Sequence, residues 1–249
     1  MKILSGHQPQ FIPWLGFFSK ISTSDTFVFL DDFKYSKLSL QTRNRIRSKN
    51  NRDNMDWLIL PVVKKTTIDS FHKVKIDMSK PWKKKHLKSL KYSYQSSKYF
   101  DDIFTDIDKI YNNFNDDSLI GFLNNFINYG LDVFKIKTKI LFNSEIKKSG
   151  SISENQKAKY LCDLTKKIDH DAFLFGSNAG KYFDRDSEDY FKKEKIIPLF
   201  QDYVHPEFKH CHDSFVPGCS FLDMLFNVGK KDSYELLERS NFKTLKIQK

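Results

Sequence analysis

His7 and Gln8 stand side by side in GHQPQFIPWLGFFSKI, residues 6–21, where an imidazole and a primary amide could act on one ligand. Imidazole exchanges a proton near neutral pH, and the amide offers both a donor and an acceptor. Pro9 and Pro13 frame a turn before an apolar run opened by Trp14, which suits polar groups held at the rim of a pocket. A loop that only covers the core would use the same residues. His205, followed by Pro206, is a second candidate general base, and equally a histidine satisfied by its own hydrogen bonds.

Asp31 and Asp32 close the apolar stretch TFVFL. Such a pair could hold a divalent ion beneath a nucleotide diphosphate, cap a helix or form ion pairs. Arg43, Asn44 and Arg45 follow in TRNRIR. Guanidinium forks grip phosphate or carboxylate through paired hydrogen bonds, and Asn supplies a donor and an acceptor beside them. A solvated basic turn is the plain alternative. In FGSNAGKY the spacing from Gly176 to Gly180-Lys181 is one residue short of a phosphate loop, and Tyr182 replaces the hydroxyl residue. A nucleophile elbow would need Ser where Asn178 stands. What remains is a Gly-rich turn into a helix, either a seat for an anion or developing oxyanion, or an ordinary capped helix. HPEFKHCHDSFVPGC gathers His205, His210, Cys211, His212 and Cys219 without a recognised zinc spacing, and no metal is assigned to it.

These residues fall beside short apolar segments. Residues 2–5 and 26–30 read as buried strands, with Leu15, Phe18 and Ile21 at helical spacing between them. Residues 57–63 suit a strand, in which Pro61 favours its end or a sheet edge. Trp82, His86, Leu90 and Tyr94 share one helical face after Pro81, and a long helical region covers about 99–129, ended by Gly130. Residues 132–142 alternate like a strand, and Ser153 with Gln156 forms a capping box for a helix reaching about Ile168. Strands at 172–175 and 196–203 flank a helix over about 181–195, and residues 220–228 form a helix closed by Gly229. The alternation predicts a single α/β domain over residues 1–249, with a mainly parallel, Rossmann-like sheet and a helical insertion around residues 80–130. Ligands of such sheets sit beyond the carboxyl ends of the strands, where His7, Asp31, Asp32, Ser177 and His205 fall.

The formal charge is +11, yet only six of the 42 basic residues are Arg. A lysine-rich composition yields that excess without a polyanionic partner, although clustered cations do bind phosphate backbones. KPWKKKHLKSLKYSYQSSKYF could place lysines beside Trp82, Tyr92 and Tyr94 as a surface for a phosphate backbone, an acidic carrier helix or a nucleotide tail. A solvated helix face is the plainer reading. Cys162, Cys211 and Cys219 form no even framework, and no apolar stretch reaches membrane-spanning length. A cytoplasmic protein without membrane insertion is the expectation.

Taken together, these segments resemble the WbqC-like family. The resemblance is carried by the His-Gln-Pro start with PWLGFF and KI, by FVFLDD and YSK, by Q-x-RNRI and by WLILPV. Later come FGSNAGKYFD, HPEF, F-x-P and S-x-LDMLFN-x-G, so it spans roughly residues 3–237. The family's Asp-Asp-Val-Gln-Tyr reads here with Phe33 and Lys34, His210 falls near a family Gln, and Val228 stands where the family often has Cys. The strand, His and Gly-containing helix start is also similar to nucleotidylyltransferase-like domains, without their second His.

The resemblance implies a role in bacterial surface polysaccharide such as O-antigen. It points to a transferase that adds a glycyl or other aminoacyl group to the amine of a nucleotide-linked amino sugar. On that expectation His7 or His205 is the base, Arg43 and Arg45 hold the diphosphate, and Asn44 orients them or a sugar hydroxyl. Gln8, Asp31, Asp32, Gly176, Ser177, Asn178 and Tyr182 would bind substrate, with amides after Gly176 facing the oxyanion. No bound cofactor is expected. The co-substrate is an activated acyl donor, a thioester on coenzyme A or acyl carrier protein, or an aminoacyl-tRNA. The alternatives are a metal-dependent glycosyl- or nucleotidyl-transferase using Asp31 and Asp32, and a non-catalytic binding protein of the polysaccharide assembly machinery.

Overall fold

The computed structural model describes residues 1–48, 55–67, 70–146, 157–212, 214–241 and 245–247. The chain opens with β1 (Ile3–His7), α1 (Leu15–Ser22), β2 (Thr26–Phe29), β3 (Arg43–Arg47) and β4 (Met55–Ile59). Helices α2 (Trp82–Tyr94), α3 (Phe100–Asn113) and α4 (Leu119–Val133) follow, then β5 (Lys139–Phe142) and the single turn α5 (Asn143–Ile146). The last part holds α6 (Lys157–Lys167), β6 (Ala172–Phe175), α7 (Arg185–Glu194), β7 (Ile197–Gln201), α8 (Phe221–Asn241), which breaks at Gly229 (φ 78) as expected, and β8 (Leu245–Ile247).

Six strands form one sheet in the order β5-β2-β1-β6-β7-β8. Every pair is parallel except β7 with β8, so this is a Rossmann-like α/β sheet with one antiparallel edge strand. Its inner strands are apolar on both faces because helices cover both. Phe27 and Phe29 of β2 enter the core with α1, whereas Val28 and Leu30 pack with Leu161 and Phe173 on the opposite face. Helices α2–α4 form the helical insertion. They share one continuous core with α1 and α8, to which Ile46 of β3 and Leu58 of β4 also contribute. The antiparallel pair β3-β4 is a separate small sheet. Among the described residues, no helix is long and apolar enough to cross a membrane.

Three local expectations are corrected. The helical region at 99–129 is two helices, because Ser118 starts a new one by accepting the Gly121 amide at 3.1 Å. Gly130 does not end α4. It lies inside the helix because the Phe18 ring packs against it, and a Cβ there would meet Phe18 Cζ at 2.2 Å. The strand expected over 132–142 begins only at Lys139, since Lys135 turns left-handed at φ 50 and the Ile136 amide closes back on the Leu131 carbonyl. The capping box at Ser153 and Gln156 lies outside the described residues.

Candidate functional site

Strand order reverses between β1 and β6, which opens a crevice beyond their carboxyl ends. A cavity of 820 Å³ lies there, lined by Gly6 and His7 at the end of β1 and by Gly176, Ser177 and Asn178 just past β6. Its volume falls within the range of small-molecule sites. Its charge is one-sided. Lys20, Lys34, Arg45 and Lys157 line it, and among the described residues no Asp or Glu does. Cations gathered in a cleft without counter-charges favour an anionic ligand.

His7 is held by its own chain. Its Nδ1–H donates to the Gln8 carbonyl at 2.8 Å, so the neutral ring keeps its lone pair on Nε2. Burial, followed by the charge of Lys20, lowers His7 to about 4, and the ring is neutral at physiological pH. Lys20 comes from α1, a helix buried along Leu15–Ile21, and its Nζ donates to the Gly6 carbonyl at 2.8 Å. Burial and then the neighbouring charge of Lys157 lower its ammonium to about 7.

The loop between β1 and α1 supplies Gln8, Gln10 and Trp14 to the cavity. It contains strain, because Ile12 is fully buried at φ 35 directly before Pro13. A β-branched residue is disfavoured there, and a following proline narrows its options further. Asn44 supports the loop from below. Its Nδ2 donates to the carbonyls of Phe11 (3.1 Å) and Ile12 (2.9 Å), while its Oδ1 accepts the Arg45 amide at 2.8 Å. Asn44 is therefore a positioning residue committed to backbone. Asn44→Ala is expected to cost about 2–3 kcal/mol, since it leaves buried carbonyls unpaired beneath a strained turn. Urea unfolding would show this as a lower midpoint with an unchanged slope.

Arg43 and Arg45 share a face of β3, yet only Arg45 lines the cavity. Arg43 lies 4.4 Å over the Trp57 ring. Arg45 passes Gly218, whose φ of 81 belongs to the Pro217-Gly218 turn, and a Cβ there would stand 3.0 Å from its Nη2. Arg45 Nε and Gln10 Oε1 are buried and make no hydrogen bond among the described residues. Both belong to side chains lining the cavity, so polar capacity remains for a ligand.

Beyond β6 the expected helix start is displaced. The Gly176 carbonyl accepts the Ala179 amide at 2.9 Å, a short 3-10 turn covers Ala179–Lys181, and α7 begins only at Arg185. Asp184 caps that helix by accepting the Ser187 amide at 2.9 Å. The helix terminus is therefore already served, and the cavity wall here is the turn with Ser177, Asn178 and Tyr182. Burial pushes the Tyr182 phenol up to about 12, so it is a hydrogen-bond donor at neutral pH.

Several expected residues lie elsewhere. Asp31 accepts the Ser144 amide (2.9 Å) and hydroxyl (2.5 Å), and Asp32 accepts from Asn143 Nδ2 at 2.6 Å, so both serve the start of α5. His205 donates from Nδ1 to the Pro206 carbonyl at 3.0 Å, beside Phe208 and Phe215. None of these three lines the cavity. His210 Nε2–H donates to Asp223 at 2.9 Å, Tyr94 donates to the same oxygen at 2.8 Å, and the His212 amide donates to His210 Nδ1 at 3.1 Å. The potential ligand atoms of His210, Cys211 and His212 lie within 4.8 Å of one another. His212 Nε2 is 2.9 Å from the Ser93 carbonyl, so this segment is tied by hydrogen bonds to α2 and α8.

Sequence reading missed Lys20, Lys157, Gln10, Trp14 and Gln201 as lining residues. Lys20 carried a usable signal, a lysine in GFFSKI where helical spacing leaves no solvent face. Gln201 is anchored by donating to the Gly16 carbonyl at 2.8 Å, a pairing across 185 residues that no local pattern reveals.

A model of the WbqC-like protein family matches residues 8–235. The chain belongs to this family. The matched stretch of this WbqC-like protein takes in the strained loop, β3, the Gly176 turn and Gln201. An uncharacterized protein of Mycobacterium tuberculosis, Rv1507c, is 27% identical over 231 residues, covering 92% of this WbqC-like chain and 95% of its own. No solved structure matches the chain significantly.

Proposed function

We propose that this protein transfers a glycyl or other aminoacyl group to the amine of a nucleotide-linked amino sugar, in the making of a bacterial surface polysaccharide such as O-antigen. The observation that carries this reading is the cavity at the β1/β6 crevice, with four cations and no carboxylate among the described residues of its lining. A diphosphate matches that charge, and Arg45 is the side chain best shaped to grip it through paired hydrogen bonds. Trp14 adds an aromatic face to the same wall for a base or sugar. The polysaccharide setting rests on the family resemblance.

The acyl group arrives activated. On α2, Lys83 donates to the Phe114 carbonyl and Trp82 and Tyr94 are buried, which leaves Lys84, Lys85, Lys88, Lys91 and Tyr92 outward. Such a surface suits a phosphate backbone or an acidic carrier helix, so a thioester on coenzyme A or a carrier protein and an aminoacyl-tRNA are both donors to test. The test is intact-mass analysis of nucleotide-linked amino sugars incubated with the protein and thioester or aminoacyl-tRNA donors. The amino sugar should gain the acyl mass, and the gain should survive a chelator. Loss on chelation would instead favour metal-dependent glycosyl or nucleotidyl transfer through Asp31 and Asp32. Tight binding with no product would identify a binding protein.

A further inference from the structure

Acyl transfer to an amine at neutral pH has two protons to move, and the two are of different acidity. The substrate ammonium must lose one before its nitrogen can attack. The tetrahedral adduct then carries a much more acidic N–H, which must leave before or as the carbon–sulfur or carbon–oxygen bond breaks. One base suited to both is hard to build, whereas two bases in different environments divide the work.

The end of β1 holds two such groups. Lys20 Nζ reaches the carbonyl of Gly6, the residue directly before His7, and is only 4% exposed apart from its place in the cavity lining. A neutral amine keeps N–H groups that can donate to that carbonyl, more weakly than an ammonium does. The charged groups that share the cavity with it are Lys34, Arg45 and Lys157, with the Tyr182 phenol and the His7 ring. Among the described residues of the lining, none is a carboxylate that would hold a proton on Lys20. His7 has committed Nδ1–H to the Gln8 carbonyl, so Nε2 is its proton-accepting atom.

We propose that Lys20 and His7 divide these transfers, the Lys20 amine taking the first proton from the substrate ammonium and His7 Nε2 taking the second from the tetrahedral adduct. This rests on the acyl-transfer reading above. In the first step R–NH3⁺ passes a proton to Lys20, and the freed amine bonds to the acyl carbon as the carbonyl becomes an oxyanion. In the second step His7 receives the adduct's N–H proton and gives it to the departing sulfur or oxygen as that bond breaks. The products are the amide, the free thiol or alcohol, and a Lys20 ammonium that returns one proton to water. Lys20 lies near 7, where both of its forms are present, whereas His7 at about 4 is a base only for the more acidic adduct.

The test uses the full-length protein in two arms. In the first, trace isotopic acetic anhydride labels amines across a pH series, and the Lys20 peptide is quantified against exposed Lys84 and Lys85. Lys20 labelling should rise through a midpoint near 7, well below the exposed lysines. A uridine diphosphate amino sugar at about ten times its Kd should slow that labelling about tenfold. In the second arm, Lys20→Arg should lower kcat about 100-fold or more with little change in KM, because guanidinium keeps the charge and cannot deprotonate. The pH profile should lose the corresponding limb. A Lys20 midpoint with the exposed lysines overturns the proposal, as does transfer with an unaltered pH profile in both Lys20→Arg and Lys20→Met. A low midpoint in a protein that acylates no amino sugar sinks the transferase reading, and this step with it.

Discussion

Arg45→Ala is expected to weaken binding of a uridine diphosphate sugar about 10–100-fold, whereas Arg43→Ala should change it about twofold or less. The two arginines are two residues apart on one face of one strand, and only their surroundings differ. Arg45 lines the cavity beside Gly218 and Arg43 does not, although each has a buried Nε that makes no hydrogen bond among the described residues. Arg43 lies closer to the ring of Trp57, at 4.4 Å against 5.7 Å for Arg45, and that ring is 43% exposed. Loss of a charge-assisted hydrogen bond to phosphate is worth about 1.5–3 kcal/mol, which sets the larger figure. Isothermal titration of both variants at low and moderate salt is the measurement. Equal losses for the two would mean that the ligand lies over Trp57 and not in the crevice.

Lys20→Met should raise stability at pH 7 by roughly 2–4 kcal/mol, since it replaces an amine that folding strips of water without a counter-charge. The sign follows from its two pKa values. In the unfolded chain Lys20 titrates at the ordinary 10.5, and in the folded protein at about 7. Between those values the unfolded chain holds a proton that the folded one lacks, so stability rises with pH across the window. Below about 7 both states are charged and the penalty is complete. Urea unfolding of parent and variant at neutral and alkaline pH reads the difference between them. The advantage of Lys20→Met should shrink towards pH 10.5, and an advantage independent of pH would show that packing, not charge, is responsible. A buried group that costs stability is the usual mark of a residue kept for function.

Much of the frame was legible locally. The apolar runs around Leu4, Phe27, Phe173 and Leu199 are strands of one sheet, and the spacing of Trp82, His86, Leu90 and Tyr94 does mark a buried helical face. Errors arose where one pattern serves two structures. Val133, Phe134 and Ile136 alternate like a strand, but α4 runs through Val133 and the chain turns at Lys135. Gly130 has the look of a helix stop, and is there because Phe18, more than a hundred positions earlier, needs the space of its missing side chain.

The sequence by itself determined the α/β alternation, the polar residues waiting at strand ends and the family motifs, because each is written in neighbouring residues. Only the tertiary structure decided which of those polar residues meet. It set His7, Arg45 and Ser177 around one cavity with Lys20 and Lys157, and turned Asn44 towards the strained loop at Ile12. It also gave Asp31 and Asp32 to the start of α5. The physical reason is that a side chain's direction follows from its own backbone, while what it points at depends on which distant elements pack there. Strand order, the face that β3 offers to the β1–α1 loop and the burial of α1 on every side are all settled by contacts far apart in the chain.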